Sequence, residues 1–276
     1  MKFQFKIQPY QTDAVDAVVQ VFNGQLNHGP AGYIRDMGKR PEKPKTDPDP
    51  QMQLSEMAQP VPEEDDDPTG YKNAEVELTD EQLLQNIHTL QAQNNIKLSS
   101  ALVKDLGRCS LDIEMETGTG KTYVYTKTIF ELNKRYGWSK FIVVVPSVAI
   151  REGVKKSFEI TEEHFMQCYG KKGRFFIYNS RNLNQLDTFS SSSSINVMII
   201  NAQAFAASLN EDKNIEGRKG DQAARIIYSK RGEFASRRPI DVIAANRPII
   251  IMDEPAEKGR YSDADGAEEI QPSVHS

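Results

Sequence analysis

The sequence predicts an α/β fold, a mostly parallel sheet in three layers with helices on both faces. Three observations carry the prediction. Short apolar runs rich in β-branched residues recur at 140–145 (KFIVVV), 195–200 (INVMII) and 249–252 (IIIM). Strands that are apolar on both sides belong to parallel sheets covered on both faces. Helical periodicity fills the intervals between them, the strand and helix alternation of crossover units. The third observation is a strand-like stretch that runs into a glycine loop and then a helix, CSLDIEMETGTGKT at 109–122.

The elements follow in order. Residues Ile7 to Gly24 begin QPYQ and continue as a helix, with Val15, Val18, Val19 and Phe22 on one face and Gly24 as the stop. Between Gly38 and Gly70 half of the 14 prolines mix with charges and almost no large apolar residues. Such a segment cannot bury enough surface to offset its ordering entropy, so a mobile insertion is expected there. Thr79 to Asn94 is a helix, opened by a capping box of Thr79 and Gln82 ahead of Leu83, Leu84, Ile87 and Leu90. A second short helix is expected over Ser99 to Leu106. Leu111, Ile113 and Met115 then alternate with Asp112 and Glu114, the period of a strand.

A helix runs from Lys121 through Arg135, and Lys140 to Val145 is a buried strand. PSVAIREGV makes a turn and a helix. Strands are expected at Arg174 to Tyr178 and Ile195 to Ile200, with the serine tract Ser190 to Ser194 as a flexible loop between them. Asn210 to Asn246 is polar and basic, with loop and short helix expected. The last strand, Ile249 to Met252, ends in Asp253 and Glu254.

The glycine loop carries chemistry. Gly118 and Gly120 remove side chains where the chain must turn sharply, and Lys121 and Thr122 open the helix. In such a loop the backbone N–H groups of Thr117, Gly118, Thr119 and Gly120 and of the helix start face the β- and γ-phosphates of ATP. Lys121 adds a positive charge and the Thr122 hydroxyl ligates Mg²⁺. A dinucleotide fingerprint is excluded, because Tyr123 stands where its third glycine is required. Open α/β sheets place ligands beyond the C-terminal ends of their strands. Asp253 and Glu254 lie at such an end. Asp253 suits Mg²⁺ through water, opposite Thr122, and Glu254 suits the attacking water of an in-line displacement.

The totals narrow the class. The net charge is −5, yet the run EEDDD at Glu63 to Asp67 and the stretch from Glu257 to Ser276 are acidic enough to leave the rest of the chain basic. Lysines and arginines gather at Lys171, Lys172 and Arg174 and from Arg218 to Arg238, which permits contacts to nucleic-acid phosphates. No apolar run is long enough for a membrane span, and MKFQFKIQPYQ lacks the apolar core of a signal peptide, so a cytoplasmic protein without membrane partners is expected. The 2 cysteines, Cys109 and Cys168, make no disulfide framework, and the histidines have no partners at zinc-ligand spacing.

The loop departs from G-x-x-x-x-G-K-[ST] in one respect: Met115 occupies the first position. ETGTGKT is nevertheless the form taken in many superfamily two helicases and translocases. Together with PYQTDAV around Gln11, VVVPSVAIREGV at Val143 to Val154, MIINAQAF at Met198 to Phe205 and IIIMDEP at Ile249 to Pro255, the chain resembles the Res subunit of type III restriction-modification enzymes. The resemblance implies a RecA-like first motor domain over 1–256, with ATP and Mg²⁺ as cofactors and Gln11 reading the adenine edge. It implies that Pro146, Ser147, Arg151, Asn201 and Gln203 touch a DNA backbone without reading sequence, as a translocating motor requires. It also implies a modification methyltransferase subunit as the partner that recognises sequence.

Two departures bear on activity. Ala256 stands where the family has glutamine after DEP, and EKGRYSDADGAEEIQPSVHS at 257–276 is acidic, without apolar periodicity and expected to be disordered. Family members continue into a second motor domain, whose arginines complete the ATP site, and into a nuclease. The sequence-level expectation is a truncated motor domain with little turnover alone. Two rivals stand beside it: a non-functional remnant, and a P-loop interaction module of another branch.

Overall fold

The computed structural model describes residues 5–35, 69–104, 107–179, 184–203 and 239–253. In chain order the elements are α1 (Pro9–Gln20), β1 (Ala31–Ile34), β2 (Thr69–Lys72), α2 (Asp80–Gln93), α3 (Lys121–Tyr136), β3 (Lys140–Val145), α4 (Val148–Tyr169), β4 (Gly173–Ile177), α5 (Asn184–Ser191), β5 (Ile195–Asn201), α6 (Pro239–Ala245) and β6 (Ile249–Met252). Strands β4, β5, β3 and β6 form a parallel sheet in that spatial order, and β1 and β2 form a separate antiparallel pair.

The alternation of side chains along β3 explains why its whole run is apolar. Phe141, Val143 and Val145 join a cluster with Val15 and Val19 of α1, Ile129 of α3 and Phe158 of α4. Ile142 and Val144 point the other way, to Leu186 and Phe189 of α5 and Ile243 of α6. The sheet is therefore the middle of three layers, as expected, and every residue of β3 is buried. Each such apolar side chain contributes about 1.5–3 kcal/mol by burial, which a half-exposed strand cannot match. Residues α2 and Leu78 add a smaller cluster with Val21 at the side of α1.

Local signals account for the helix ends. The Thr79 hydroxyl accepts from the N–H of Gln82, whose side chain accepts in turn from the N–H of Thr79, the expected capping box. Helix α3 stops at Gly137 and α4 at Gly170, both left-handed. Helix α4 runs on to Tyr169, which places His164 and Cys168 on it.

The structure corrects four expectations. Residues 111–116 form no strand among the described residues. Leu111 and Met115 pack inward, but Ile113 is 46% exposed, and a parallel sheet covered on both faces has no place for the alternating carboxylates of Asp112 and Glu114. Residues 99–104 form no helix, because Gln91 of α2 holds Ser99 by two hydrogen bonds, donating to its hydroxyl and accepting from its N–H. The serine tract is not simply a loop. Ser190 and Ser191 close α5, and buried Ser190 accepts from the Asn246 amide. Finally, Gly70 belongs to β2 rather than to the insertion; a Cβ there would meet the Tyr33 ring at 2.5 Å. The remainder of the expected insertion, most of the Asn210 to Asn246 stretch and the 257–276 tail lie outside the described residues. Among the described residues no helix is long and apolar enough to cross a membrane, and no group of His, Cys, Asp and Glu could hold a metal ion by itself.

Candidate functional site

The glycine loop is built from both sides. Gly118 and Gly120 have φ of +82° and +88°, the left-handed region that side chains rarely enter. The Thr119 hydroxyl donates to the Glu116 carbonyl at 2.6 Å, closing the turn. From α1, the Gln11 amide nitrogen donates to the Thr119 carbonyl at 2.9 Å and the Tyr10 hydroxyl donates to the same atom at 3.2 Å. Gln11 is only 9% exposed. It lies so close that a Cβ on Gly120 would stand 2.7 Å from its amide nitrogen, which is the physical reason for glycine there. Helix α1 is in turn fixed to α3 by the Tyr136 hydroxyl, which donates to the Val19 carbonyl at 2.8 Å, and by Lys127, which donates to the Thr12 hydroxyl at 3.1 Å.

Helix α3 begins at Lys121 behind Gly120, and no side chain caps it. Its first-turn N–H groups and the positive end of its dipole therefore face the loop, the arrangement that binds anions. Thr122 is half-buried in that first turn. Three residues on, the Tyr125 hydroxyl donates to an Asp253 carboxylate oxygen at 3.4 Å. Burial pushes the Tyr125 phenol far above its ordinary range; the Thr122 contact opposes that shift and the Asp253 charge adds to it. Asp253 is held by its own backbone, whose N–H donates to the Val144 carbonyl at 2.9 Å and extends the pairing of β6 with β3 by one residue. Glu254 lies outside the described residues.

The five residues expected to touch DNA share one edge of the sheet. Asn201 ends β5 directly beside Val145 of β3, and Pro146 and Ser147 follow that valine. The Ser147 hydroxyl caps α4, accepting from the Ile150 N–H at 3.3 Å. Arg151 stands one turn into α4, its guanidinium 3.2 Å from the Glu152 carboxylate, while Gln203 is exposed just after β5. Sequence reasoning passed over Tyr10 and Tyr125. Tyr10 adjoins Gln11, and Tyr125 lies at i+3 from Thr122 and so on the same helical face.

The family model described as "Type III restriction enzyme, res subunit" matches residues 75–255. This chain belongs to the type III restriction enzyme Res subunit family. Among its relatives, the Res subunit of the type III restriction-modification enzyme EcoPI, from Escherichia phage P1, is 31% identical over 195 residues. The EcoP15I Res subunit from Escherichia coli is 32% identical over 198 residues. Both matches cover 66% of this chain and 19% of the relative. The StyLTI Res subunit from Salmonella typhimurium is 33% identical over 186 residues, 60% of this chain and 17% of the relative. The Res-family chain thus spans less than a fifth of the length of these relatives.

Proposed function

We propose that this chain binds ATP with Mg²⁺ at the C-terminal edge of its sheet and couples the nucleotide to contact with a DNA backbone, as the first motor domain (1–256) of a type III restriction enzyme. One observation carries the reading. Tyr125, one turn after Thr122 on α3, donates its hydroxyl to Asp253 at the end of β6 and so ties the helix that carries Thr122 to the strand end that carries Asp253. A hydroxyl and a carboxylate are oxygen donors, the set that a small hard cation such as Mg²⁺ prefers. Room for a phosphate chain exists as well, since nothing lies within 4 Å of where a Cβ on Gly118 would stand. When bound, Mg²⁺ supplies charge neutralisation to the β- and γ-phosphates.

In this reading each residue has a task. Thr117, Gly118, Thr119 and Gly120 present backbone to the phosphates, and Lys121 places its ammonium against the γ-phosphate. Thr122 and Asp253 hold the cation, and Glu254 orients the attacking water. Gln11 grips the loop through Thr119 and offers its amide to the adenine edge, which links base recognition to loop position. Pro146, Ser147, Arg151, Asn201 and Gln203 contact phosphates and sugars, so DNA binding is salt-sensitive and indifferent to sequence. Sequence choice falls to a modification methyltransferase subunit, in the cytoplasm, and translocation with cleavage to the whole assembly.

Thermal denaturation with and without ATP and Mg²⁺ tests the proposal. Nucleotide at a hundredfold excess over its Kd stabilises a folded binder by about 2.7 kcal/mol. Lys121→Ala should lose at least tenfold in affinity and with it the shift in Tm, because it removes the loop's side-chain cation while leaving the fold intact. A shift of the same size in that variant would place the nucleotide elsewhere.

A further inference from the structure

Tyr125 lies inside the constellation just assigned, yet neither the loop motif nor the strand-end carboxylates include it. Its ring is anchored away from the site. It packs against the core cluster and meets the Phe158 ring of α4 edge-on, with centroids 6.2 Å apart and planes at 67°. With the ring held, the hydroxyl has little freedom. It donates to an Asp253 carboxylate oxygen 3.4 Å away.

The chemistry of the two groups sets the direction of the bond. A carboxylate only accepts, so the phenolic proton goes to Asp253. One oxygen of Asp253 is fixed by that bond, and a carboxylate that is to hold a cation is oriented by such a partner.

We infer that Tyr125 is a positioning residue for the cation site, setting the carboxylate of Asp253 before Mg²⁺ arrives. The inference rests on the proposal that Asp253, together with Thr122, holds the cation that accompanies ATP. It is specific to the hydroxyl, because the ring alone suffices for packing against Phe158.

The test is binding of a fluorescent ATP analogue to the full chain, titrated with Mg²⁺ and compared with excess chelator. Tyr125→Phe deletes the hydroxyl and keeps the ring. It should leave affinity in chelator unchanged and the nucleotide-free Tm close to wild type, while raising the half-saturating Mg²⁺ concentration about tenfold or more, the usual effect of removing a partner of a metal ligand. Asp253→Asn should show the same loss, and the double variant no further loss, since both act on one unit. If Tyr125→Phe keeps the wild-type Mg²⁺ dependence, or if its loss simply adds to that of Asp253→Asn, the inference fails and the proposed function stands. A wild-type chain that binds nucleotide equally well in Mg²⁺ and in chelator overturns the cation assignment and the inference with it. A wild-type chain that binds no nucleotide overturns the proposed function itself.

Discussion

The two ends of the central sheet are both rich in polar residues, and they use them in opposite ways. At the N-terminal end, Asn73, Ser139, Lys140, Asn196 and Asn246 are all buried. Asn73 is the hub. Its amide nitrogen donates to the Lys140 and Arg247 carbonyls at 2.8 and 3.0 Å, and its carbonyl oxygen accepts from the N–H groups of Ser139 and Lys140 at 2.8 and 2.9 Å. Its own N–H donates to the Asn246 carbonyl at 3.1 Å. One side chain thus ties the segment after β2 to the starts of β3 and β6. At the C-terminal end, Pro146, Ser147, Asn201 and Asp253 are exposed or half-buried. The Asn73 amide finds all its partners inside the protein, so the first end is closed and serves as a lock. The second end remains reachable by a ligand.

The largest effect should come from opening the lock. Asn73→Ala strands several buried peptide groups at once and should cost about 3–5 kcal/mol. Its urea denaturation midpoint measures this, and nucleotide affinity of the protein that remains folded should be unchanged. A cost below about 1 kcal/mol would mean that the two ends differ less than their burial suggests.

Lys140 sharpens the comparison through pH. Its ammonium donates to the Phe189 and Ser192 carbonyls at the C-terminal end of α5, where the helix dipole favours a cation. Burial acts the other way and lowers its pKa from 10.5 to about 7. Below pH 7 the folded chain keeps the charge buried and the cost is fully present. As the pH rises from about 7 towards 10.5, the unfolded chain holds a proton that the folded chain has released, so stability rises. The slope is at most about 1.4 kcal/mol per pH unit. Stability of wild type between pH 7 and 8.5, set against Lys140→Met, checks the sign: the variant should be flatter. A wild-type curve as flat as the variant's would show that the two carbonyls offset burial.

The smallest effect belongs to the open end. Ser147→Ala removes the α4 cap and should cost about 1 kcal/mol, the ordinary value for an N-cap. The same variant should weaken DNA binding in low salt if Ser147 also touches the backbone. Loss of stability with DNA binding intact would make it a cap alone.

Much of the fold was legible because local rules and global burial agree. The capping box of Thr79 and Gln82, the stop at Gly137 and the fully apolar β3 each reappear as expected. The pairing of β1 with β2 was not legible. Its strands are four residues each and stand on either side of the 36–68 stretch, so no turn signal joins them. Residues 111–116 misled for a different reason. Alternation signals a strand with one buried face, whereas a parallel sheet here required two.

The sequence by itself determined the local pieces of the candidate site: a glycine loop with Lys121 and Thr122, and an apolar strand that ends in Asp253. Residue types and spacing suffice for that, because left-handed turns demand glycine and both-sided burial demands apolar runs. Only the tertiary structure decided which groups meet. Gln11 and Thr119 are 108 positions apart and Tyr125 and Asp253 are 128 apart, and no local rule couples them. Their contact is set by how α1 and β6 pack around α3 and β3, and packing depends on the shapes of side chains from the whole chain at once.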